Sequence, residues 1–202
     1  MYKKIINRIL KRFEIKTIQC SERAVYLTFD DGPESEITEF VLEELAKYNF
    51  KATFFCRADN AEKYPRLLAE ICKAGHSIAN HTFSHVHAYK VSAKTYLADV
   101  KKADAVLRSN LFRPSHGSLT IRTWLGLRRK YRIVYWSLNS GDSNLEHFNF
   151  QNAIDNLKAK TKSGDVVLFH FCHLHEKETR QVLPEYLKWL AENNYSCNTI
   201  PV

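Results

Sequence analysis

Two adjacent carboxylates end one short apolar stretch of this 202-residue chain. Asp30 and Asp31 follow Ala24–Phe29, a run typical of a buried strand, and the Gly32-Pro33 pair after them predicts a turn. Two carboxylates at the end of a buried strand are costly unless a cation or an arginine compensates their charge. The pair therefore predicts a compensating partner elsewhere in the chain.

Two histidines four residues apart are the first candidate partner. His81 and His85 could direct both rings to one point from a helical turn or a tight loop. With one carboxylate of the Asp pair they form a set that leaves open positions on zinc or another divalent transition metal. Such a metal activates water and polarises a carbonyl, as amide hydrolysis requires. The second Asp is then a natural base, and His170, at the end of another predicted strand, is a natural acid.

The elements that would position these residues alternate along the chain. Strands are predicted at 24–29, 52–56, 77–79, 111–113, 132–136, 165–171 and 195–200, with amphipathic helices between most of them. This alternation predicts an α/β fold with a parallel sheet covered by helices. Seven or eight units favour a small or incomplete barrel, and a doubly wound open sheet is the competing topology. In a barrel, the groups that do chemistry gather at the carboxyl ends of the strands.

Three motifs, in this order, give the chain a family resemblance. TFDDG at 28–32, ATFF at 52–55 and HTFSH at 81–85 resemble motifs of the polysaccharide deacetylases of the NodB homology type, carbohydrate esterase family 4. The resemblance runs from about residue 24 to the C-terminus. It implies a small or distorted (β/α)7–8 barrel of the NodB type.

The resemblance also implies the roles of individual residues. Asp31, His81 and His85 would hold the metal, with zinc as the first choice and cobalt, nickel or manganese as alternatives. Asp30 would be the general base, and His170, in a sequence similar to the family's LxH motif, would be the general acid.

A further segment, Arg113–Gly117, is similar to the family's RPPYG motif. There the arginine lies beside the base, and Arg113 would also compensate the charge of the Asp pair. The backbone N–H at the tyrosine position, which is His116 in this chain, would help to hold the oxyanion.

The chain departs from the family in the expected walls of the pocket. Asn139 and Ser143 replace the first acid and the tryptophan of a DxxDW motif, while Asp142 remains and would orient the general acid. His116 replaces the tyrosine, and Phe171 stands where the family often has Asp, so both are expected to alter the rim. These departures predict a substrate unlike chitin or peptidoglycan.

The formal net charge of +8 lies partly in Met1–Lys16, whose basic and apolar residues predict an amphipathic helix. Contact with an anionic membrane surface and packing beneath the barrel explain it equally well. The segment lacks the continuous apolar core of a secretory signal, and no run of about 18 apolar residues occurs. We therefore expect a basic amphipathic segment at 1–20 and a deacetylase domain at 21–202. The expected location is cytoplasmic, where the basic segment could bind the inner membrane surface peripherally.

Other polar residues are expected to have ordinary roles. Five scattered cysteines without a CxxC pair predict buried, reduced thiols. His87 is expected at the rim of the site. His173 and His175, which stand next to Cys172, are expected in a solvated loop, with a place in the substrate groove as the alternative. The basic residues are not interleaved with stacking aromatics, so a nucleic-acid partner is not expected.

The predicted function is therefore a metal-dependent N-deacylase, most simply an N-deacetylase. Its carbohydrate substrate would be an N-acylated amino sugar in a saccharide or in a lipid-linked saccharide precursor. A deformylase or another amide hydrolase on a related substrate is one alternative. A non-catalytic carbohydrate-binding protein on the same fold is the other.

Overall fold

The computed structural model of the protein describes residues 15–202. The predicted basic helix at 1–16 therefore lies almost entirely outside the described residues, and its membrane contact, like the predicted location, stays a prediction. Among residues 15–202, no helix combines the length and the apolar character that crossing a bilayer would require.

Strands and helices alternate along the described residues. The strands are β1 (Ala24–Asp30), β2 (Ala52–Cys56), β3 (Ser77–Asn80), β4 (Leu111–Phe112), β5 (Arg132–Ile133), β6 (Leu138–Asn139), β7 (Val166–His170) and β8 (Ser196–Cys197). The helices are α1 (Ile37–Ala46), α2 (Ala58–Lys63), α3 (Pro65–Lys73), α4 (Ala93–Leu107), α5 (Ile121–Leu127), α6 (Phe150–Lys160) and α7 (Glu176–Glu192).

The strands pair in parallel in the order β5-β4-β3-β2-β1-β7-β6, and β8 pairs with the start of β1. The two edge strands, β5 and β6, are consecutive in the chain, and only residues 134–137 separate them. Six inter-strand spacings in a flat sheet would part these edges by about 29 Å. Five residue steps reach only about 18 Å. The sheet must therefore curl, which confirms the predicted barrel and excludes the open doubly wound sheet.

The bend between β5 and β6 joins the two edges of the curled sheet. The N–H of Val134 donates to the carbonyl of Phe112 in β4, whereas the N–H of Ser137 donates to the carbonyl of Val166 in β7. Residues 15–18, within the predicted N-terminal segment, span the same gap. Ile15 is hydrogen-bonded to Ile133 and Tyr135, and Ile18 to Gly164.

The core lies on both sides of β1, which is buried along its whole length. The ring of Phe29 packs against Phe54, Phe169 and Phe171, with centroids 5.1 to 6.5 Å apart. Each such buried side chain contributes about 2–3 kcal/mol. This packing holds the end of β1 in place, and with it Asp30, the first carboxylate of the pair.

Some local predictions were wrong for physical reasons. The strand predicted at 132–136 ends at Ile133, because the carbonyls of Val134 and Tyr135 turn toward Arg113 instead of continuing a ladder. Helix α2 was not predicted, since six residues carry too little amphipathic pattern to show a period. Cys72 is exposed and Cys20 half-buried, so only Cys56, Cys172 and Cys197 are the buried thiols expected.

Candidate active site

A cavity of about 390 Å³ opens at the carboxyl ends of the strands. Six of the predicted site residues line it: Asp30, Asp31, His81, His85, His116 and His170. The other two, Arg113 and Asp142, are fully buried behind it and contact Asp30 and His170 respectively. The fold thus brings all eight predicted residues together, although they come from five segments of the chain.

Asp30 is held by a buried arginine. Nη1 of Arg113 donates to Oδ1 of Asp30 over 2.6 Å and to Oγ1 of Thr28 over 2.8 Å. The other guanidinium donors bond the carbonyls of Val134 and Tyr135 at the bend that joins the sheet edges. Because Arg113 occupies one oxygen of Asp30, the second, Oδ2, remains on the side of His81, 3.9 Å from its Nε2.

Asp31 leaves the strand in a different direction, because its backbone is left-handed, with φ at +82°. Its Oδ1 lies 3.3 Å from Nε2 of His81 and 3.0 Å from Nε2 of His85. Burial alone would raise the pKa of Asp31, but the two adjacent imidazoles hold it well below its usual range. Because of this bend, the two neighbouring carboxylates face the same cavity with different partners: Asp30 contacts Arg113, and Asp31 contacts the two histidines.

The three side chains fit a metal ion. Nδ1 of His81 lies 2.9 Å from the backbone carbonyl of Arg113, which can only accept, so this nitrogen carries the proton. The lone pair of Nε2 in the neutral ring then faces Asp31. Oδ1 of Asp31 is buried and has no hydrogen-bond donor among residues 15–202, despite its two imidazole neighbours. A carboxylate oxygen and two imidazole nitrogens within 4.8 Å of one another are a suitable ligand set for zinc or a similar cation.

The loop that carries the two histidines is held in a strained shape by residues that the sequence did not indicate. Thr82 and His85 both have left-handed backbones, which costs of order 1–3 kcal/mol for each residue. Oδ1 of Asn80 accepts from the N–H of Thr82. Asp99 on α4 accepts from the N–H of Phe83 over 2.7 Å and from the Ser84 hydroxyl over 2.6 Å. These bonds fix the direction of both rings.

His170 and Asp142 form a second, separate pair. Oδ1 of Asp142 accepts from Nδ1 of His170 over 2.9 Å, and Oδ2 accepts from the His170 backbone N–H over 2.7 Å. The hydroxyl of Thr179 lies 3.0 Å from the same Oδ2. Burial lowers the pKa of His170, but Asp142 and the Asp pair outweigh it and raise the value to about 9. His170 is therefore protonated at neutral pH.

His116 lies in a short 3-10 turn with a left-handed backbone. Its ring lies between His85 and His87: it is tilted against the ring of His85 at a centroid distance of 4.3 Å and stacked on that of His87 at 4.8 Å. Burial and the neighbouring His85 lower the pKa of His116, so its ring is neutral at neutral pH. His87 is partly exposed beside it, as predicted for a rim residue.

Two sequence predictions about the pocket wall were wrong. Phe171 does not form the rim: it is fully buried and packs against Phe54 and Gly32, because its side chain turns into the core. His175 does not lie in a solvated loop: it is 8% exposed and its ring packs on His170. Of the two histidines, only His173 is exposed, beside Glu176.

The structure adds wall residues that were not predicted. The added residues that line the cavity are Gly117, Trp136, Leu168 and Leu174. Asn139 and Ser143, which were expected in the wall, line it as well, and so does His175. Leu168 offered a signal, because it stands two positions before His170 and so shares its face of β7. Leu174 is 68% exposed, which is unusual for a leucine and places an apolar group at the mouth.

The fold and this cluster define a (β/α) barrel with a candidate metal centre and an acid–base pair at the carboxyl ends of its strands. A sequence model of the polysaccharide deacetylase family matches residues 18–131, more than half of the chain. The chain belongs to the polysaccharide deacetylase family.

Relatives and solved structures agree with this assignment. A peptidoglycan-N-acetylglucosamine deacetylase of Bacillus cereus is 33% identical over 154 residues, which cover 72% of this chain and 55% of that protein. The chain thus spans about half the length of this relative. A crystal structure of a peptidoglycan N-acetylglucosamine deacetylase with a bound N-hydroxybenzamide derivative is 26% identical, covers 96% of this chain and 93% of its own, and has a TM-score of 0.83.

One structural neighbour shows that the fold alone does not decide activity. A carbohydrate esterase family 4 pseudoenzyme of Bacillus anthracis has a TM-score of 0.78 and 21% identity, over 93% of this chain and 67% of its own. At that identity only the fold is shared. The function of this chain must therefore be judged from its own site residues.

Proposed function

We propose that the protein is a metal-dependent hydrolase that removes an N-acyl group, most simply N-acetyl, from an amino sugar of a saccharide. The observation that carries the proposal is the meeting of three groups in one cavity: the Asp30–Arg113 pair, the Asp31–His81–His85 cluster and the His170–Asp142 pair. Each supplies one requirement of amide hydrolysis.

Asp31, His81 and His85 would hold the metal ion. Bound there, a divalent ion such as zinc polarises a carbonyl and lowers the pKa of water. The chain supports this cluster through the hydrogen bond from His81 to the Arg113 carbonyl and through the Asp99 contacts of the histidine loop. Such supporting contacts orient ligands and raise their affinity for metal.

Asp30 would act as the general base. Its Oδ2 would accept a proton from the attacking water, while Arg113 holds Oδ1 and fixes the carboxylate plane. The water oxygen then bonds to the acyl carbon. The backbone N–H of His116 would donate to the acyl oxygen as negative charge develops there, a role that survives replacement of the side chain.

His170 would act as the general acid. Because Nδ1–H is bonded to Asp142, the proton on Nε2 is the one available to the cavity. It would pass to the amine nitrogen as the C–N bond breaks, leaving a free amino sugar and a carboxylic acid. The pKa of about 9 keeps this proton in place at neutral pH.

The substrate class follows from the relatives and the lining. The curated relative acts, by its name, on N-acetylglucosamine in peptidoglycan. In this chain Trp136, Leu168 and Leu174 offer apolar contacts to a short acyl group, whereas Asn139 and Ser143 offer polar contacts at the rim. We propose an N-acetylated amino sugar in a saccharide, with free, lipid-linked and peptidoglycan-derived saccharides as the forms to compare.

The test is a mass-spectrometric screen of the metal-loaded protein against N-acetyl and N-formyl amino sugars in these three forms. We expect loss of the acyl group from an N-acetyl sugar, and loss of that turnover in His85→Ala. His87→Ala is the matched control, since His87 is near the cluster but is not one of its ligands. Turnover of only N-formyl sugars would favour a deformylase, and binding without turnover would favour a carbohydrate-binding protein.

A further inference from the structure

A second group of metal-type ligands lies on another side of Asp31. Cys172 and His175 flank the 3-10 turn between β7 and α7, and both are buried, at 6% and 8% exposure. A carboxylate oxygen of Asp31, the sulfur of Cys172 and a ring nitrogen of His175 all lie within 4.8 Å of one another. Neither Cys172 nor His175 has a role in the hydrolysis proposed above.

A buried nitrogen atom without a partner is a second, independent indication that this group binds a ligand. Nδ1 of His175 is buried and has no hydrogen-bond partner among residues 15–202. A buried ring nitrogen without a partner is unfavourable, and a ligand bound to it would remove that cost. Burial and the charge of His170 lower the pKa of His175, so its ring is neutral and offers a lone pair.

The turn holds the two side chains in place. The N–H of His175 donates to the carbonyl of Cys172 over 3.1 Å, and the ring of His175 is packed on His170 at 4.6 Å. The turn is also tied to the loop that follows β1, because the N–H of His173 donates to the carboxylate of Glu34 over 2.7 Å. The sulfur and the imidazole are therefore presented by a fixed piece of backbone.

We propose that Asp31, Cys172 and His175 form a second transition-metal site, in which the Asp31 carboxylate is shared with the His81–His85 cluster. Sulfur, imidazole and carboxylate together suit zinc or cobalt and not magnesium or calcium. Burial raises the pKa of the Cys172 thiol to about 12, so the thiol is protonated without metal. Binding forms a metal–sulfur bond and releases the thiol proton to solvent.

The experiment is metal loading of the full chain with zinc and with cobalt. Zinc content is measured by native mass spectrometry and elemental analysis, and cobalt by absorption. We expect two zinc ions per chain and, with cobalt, a sulfur-to-cobalt charge-transfer band in the near ultraviolet. Cys172→Ser should reduce the zinc content to one and abolish the band, and His175→Gln should weaken cobalt binding at the thiolate site at least tenfold.

Two variants separate this site from the proposed catalytic centre. Cys56→Ser is the matched control, because Cys56 is also buried and its thiol lies near the Phe54 carbonyl, which a serine can bond. It should keep both ions and the band. His85→Ala should lose deacylation and one ion but keep the band. A single ion in the parent protein without a band, or a band that persists in Cys172→Ser, overturns the proposal while leaving the deacylase function standing.

Discussion

Nδ1 of His81 lies 2.9 Å from the backbone carbonyl oxygen of Arg113, whose side chain binds Asp30. One residue thus sets the tautomer of a candidate metal ligand through its backbone and the position of the candidate base through its guanidinium. Because the same guanidinium also bonds the carbonyls at the β5–β6 bend, the site and the joining of the barrel edges depend on each other.

Arg113→Lys should damage both stability and activity. Lysine keeps the charge but lacks the planar set of donors, so carbonyls at the bend lose their partner. We expect the free energy of unfolding to fall by about 2–4 kcal/mol in denaturant titrations. Arg57→Lys is the control, since the Arg57–Asp59 pair is partly exposed and its loss should cost under about 1 kcal/mol. Equal losses in the two variants would contradict the role given to Arg113.

Asp142→Asn should move the alkaline limb of the activity profile to lower pH. His170 acts as an acid only while protonated, so activity in the parent protein should fall as the pH rises through about 9. Burial lowers the pKa of His170 and Asp142 opposes this, so removing the carboxylate charge should shift the limb down by about 1–3 units. The measurement is kcat/KM against pH, with Asp155→Asn on the exposed face of α6 as the control. An unmoved limb would exclude His170 as the acid.

Asp99→Asn should weaken metal binding, although Asp99 is not itself a metal ligand. Asp99 accepts from the backbone and hydroxyl of the histidine loop, and an amide at this position would direct hydrogens at some of those donors. We expect a metal affinity about 10- to 100-fold lower in a competitive chelator titration. Asp104→Asn, on the same helix but paired with Lys130, should leave the affinity unchanged. If both variants bound equally well, the loop would not need its Asp99 anchor.

Metal removal should lower the melting temperature of the parent protein. An ion that binds only the folded chain adds about 2.7 kcal/mol at one hundred times its Kd. Chelation and readdition, followed by differential scanning calorimetry, measure this increment. In His81→Ala the increment should shrink markedly, because one of the clustered nitrogens is gone. A full increment in that variant would contradict the assignment of His81.

Gly32→Ala should destabilise the protein, because Gly32, the residue after Asp31, is packed closely against Phe171. A Cβ at this position would lie 2.5 Å from the Phe171 ring and 2.6 Å from the Phe171 carbonyl oxygen, which cannot move freely. We expect a loss of about 1–3 kcal/mol in the free energy of unfolding. Gly126 lies within helix α5, and the atoms nearest to a Cβ there belong to the flexible Leu97 side chain of α4, so Gly126→Ala should be nearly neutral. A neutral Gly32→Ala would show that Phe171 can repack.

The residue types of the site could be predicted from short, contiguous patterns. The carboxylate pair follows one strand, and His81 and His85 lie within a single five-residue segment, so local sequence indicates both their identity and their chemistry. The alternation of apolar strands and amphipathic helices likewise predicts the parallel sheet, because a strand buried on both faces must be apolar throughout.

Long-range packing decided the rest. Which carboxylate pairs with Arg113 depends on the left-handed bend at Asp31 and on an ion pair between residues 83 positions apart. The burial of Phe171 and His175 and the end of β5 at Ile133 depend on contacts with distant segments, which no local periodicity records. The sequence alone therefore determined the chemical groups and the class of fold. Only the tertiary structure decided their pairing and direction, because side-chain partners are set by contacts between segments far apart in the chain.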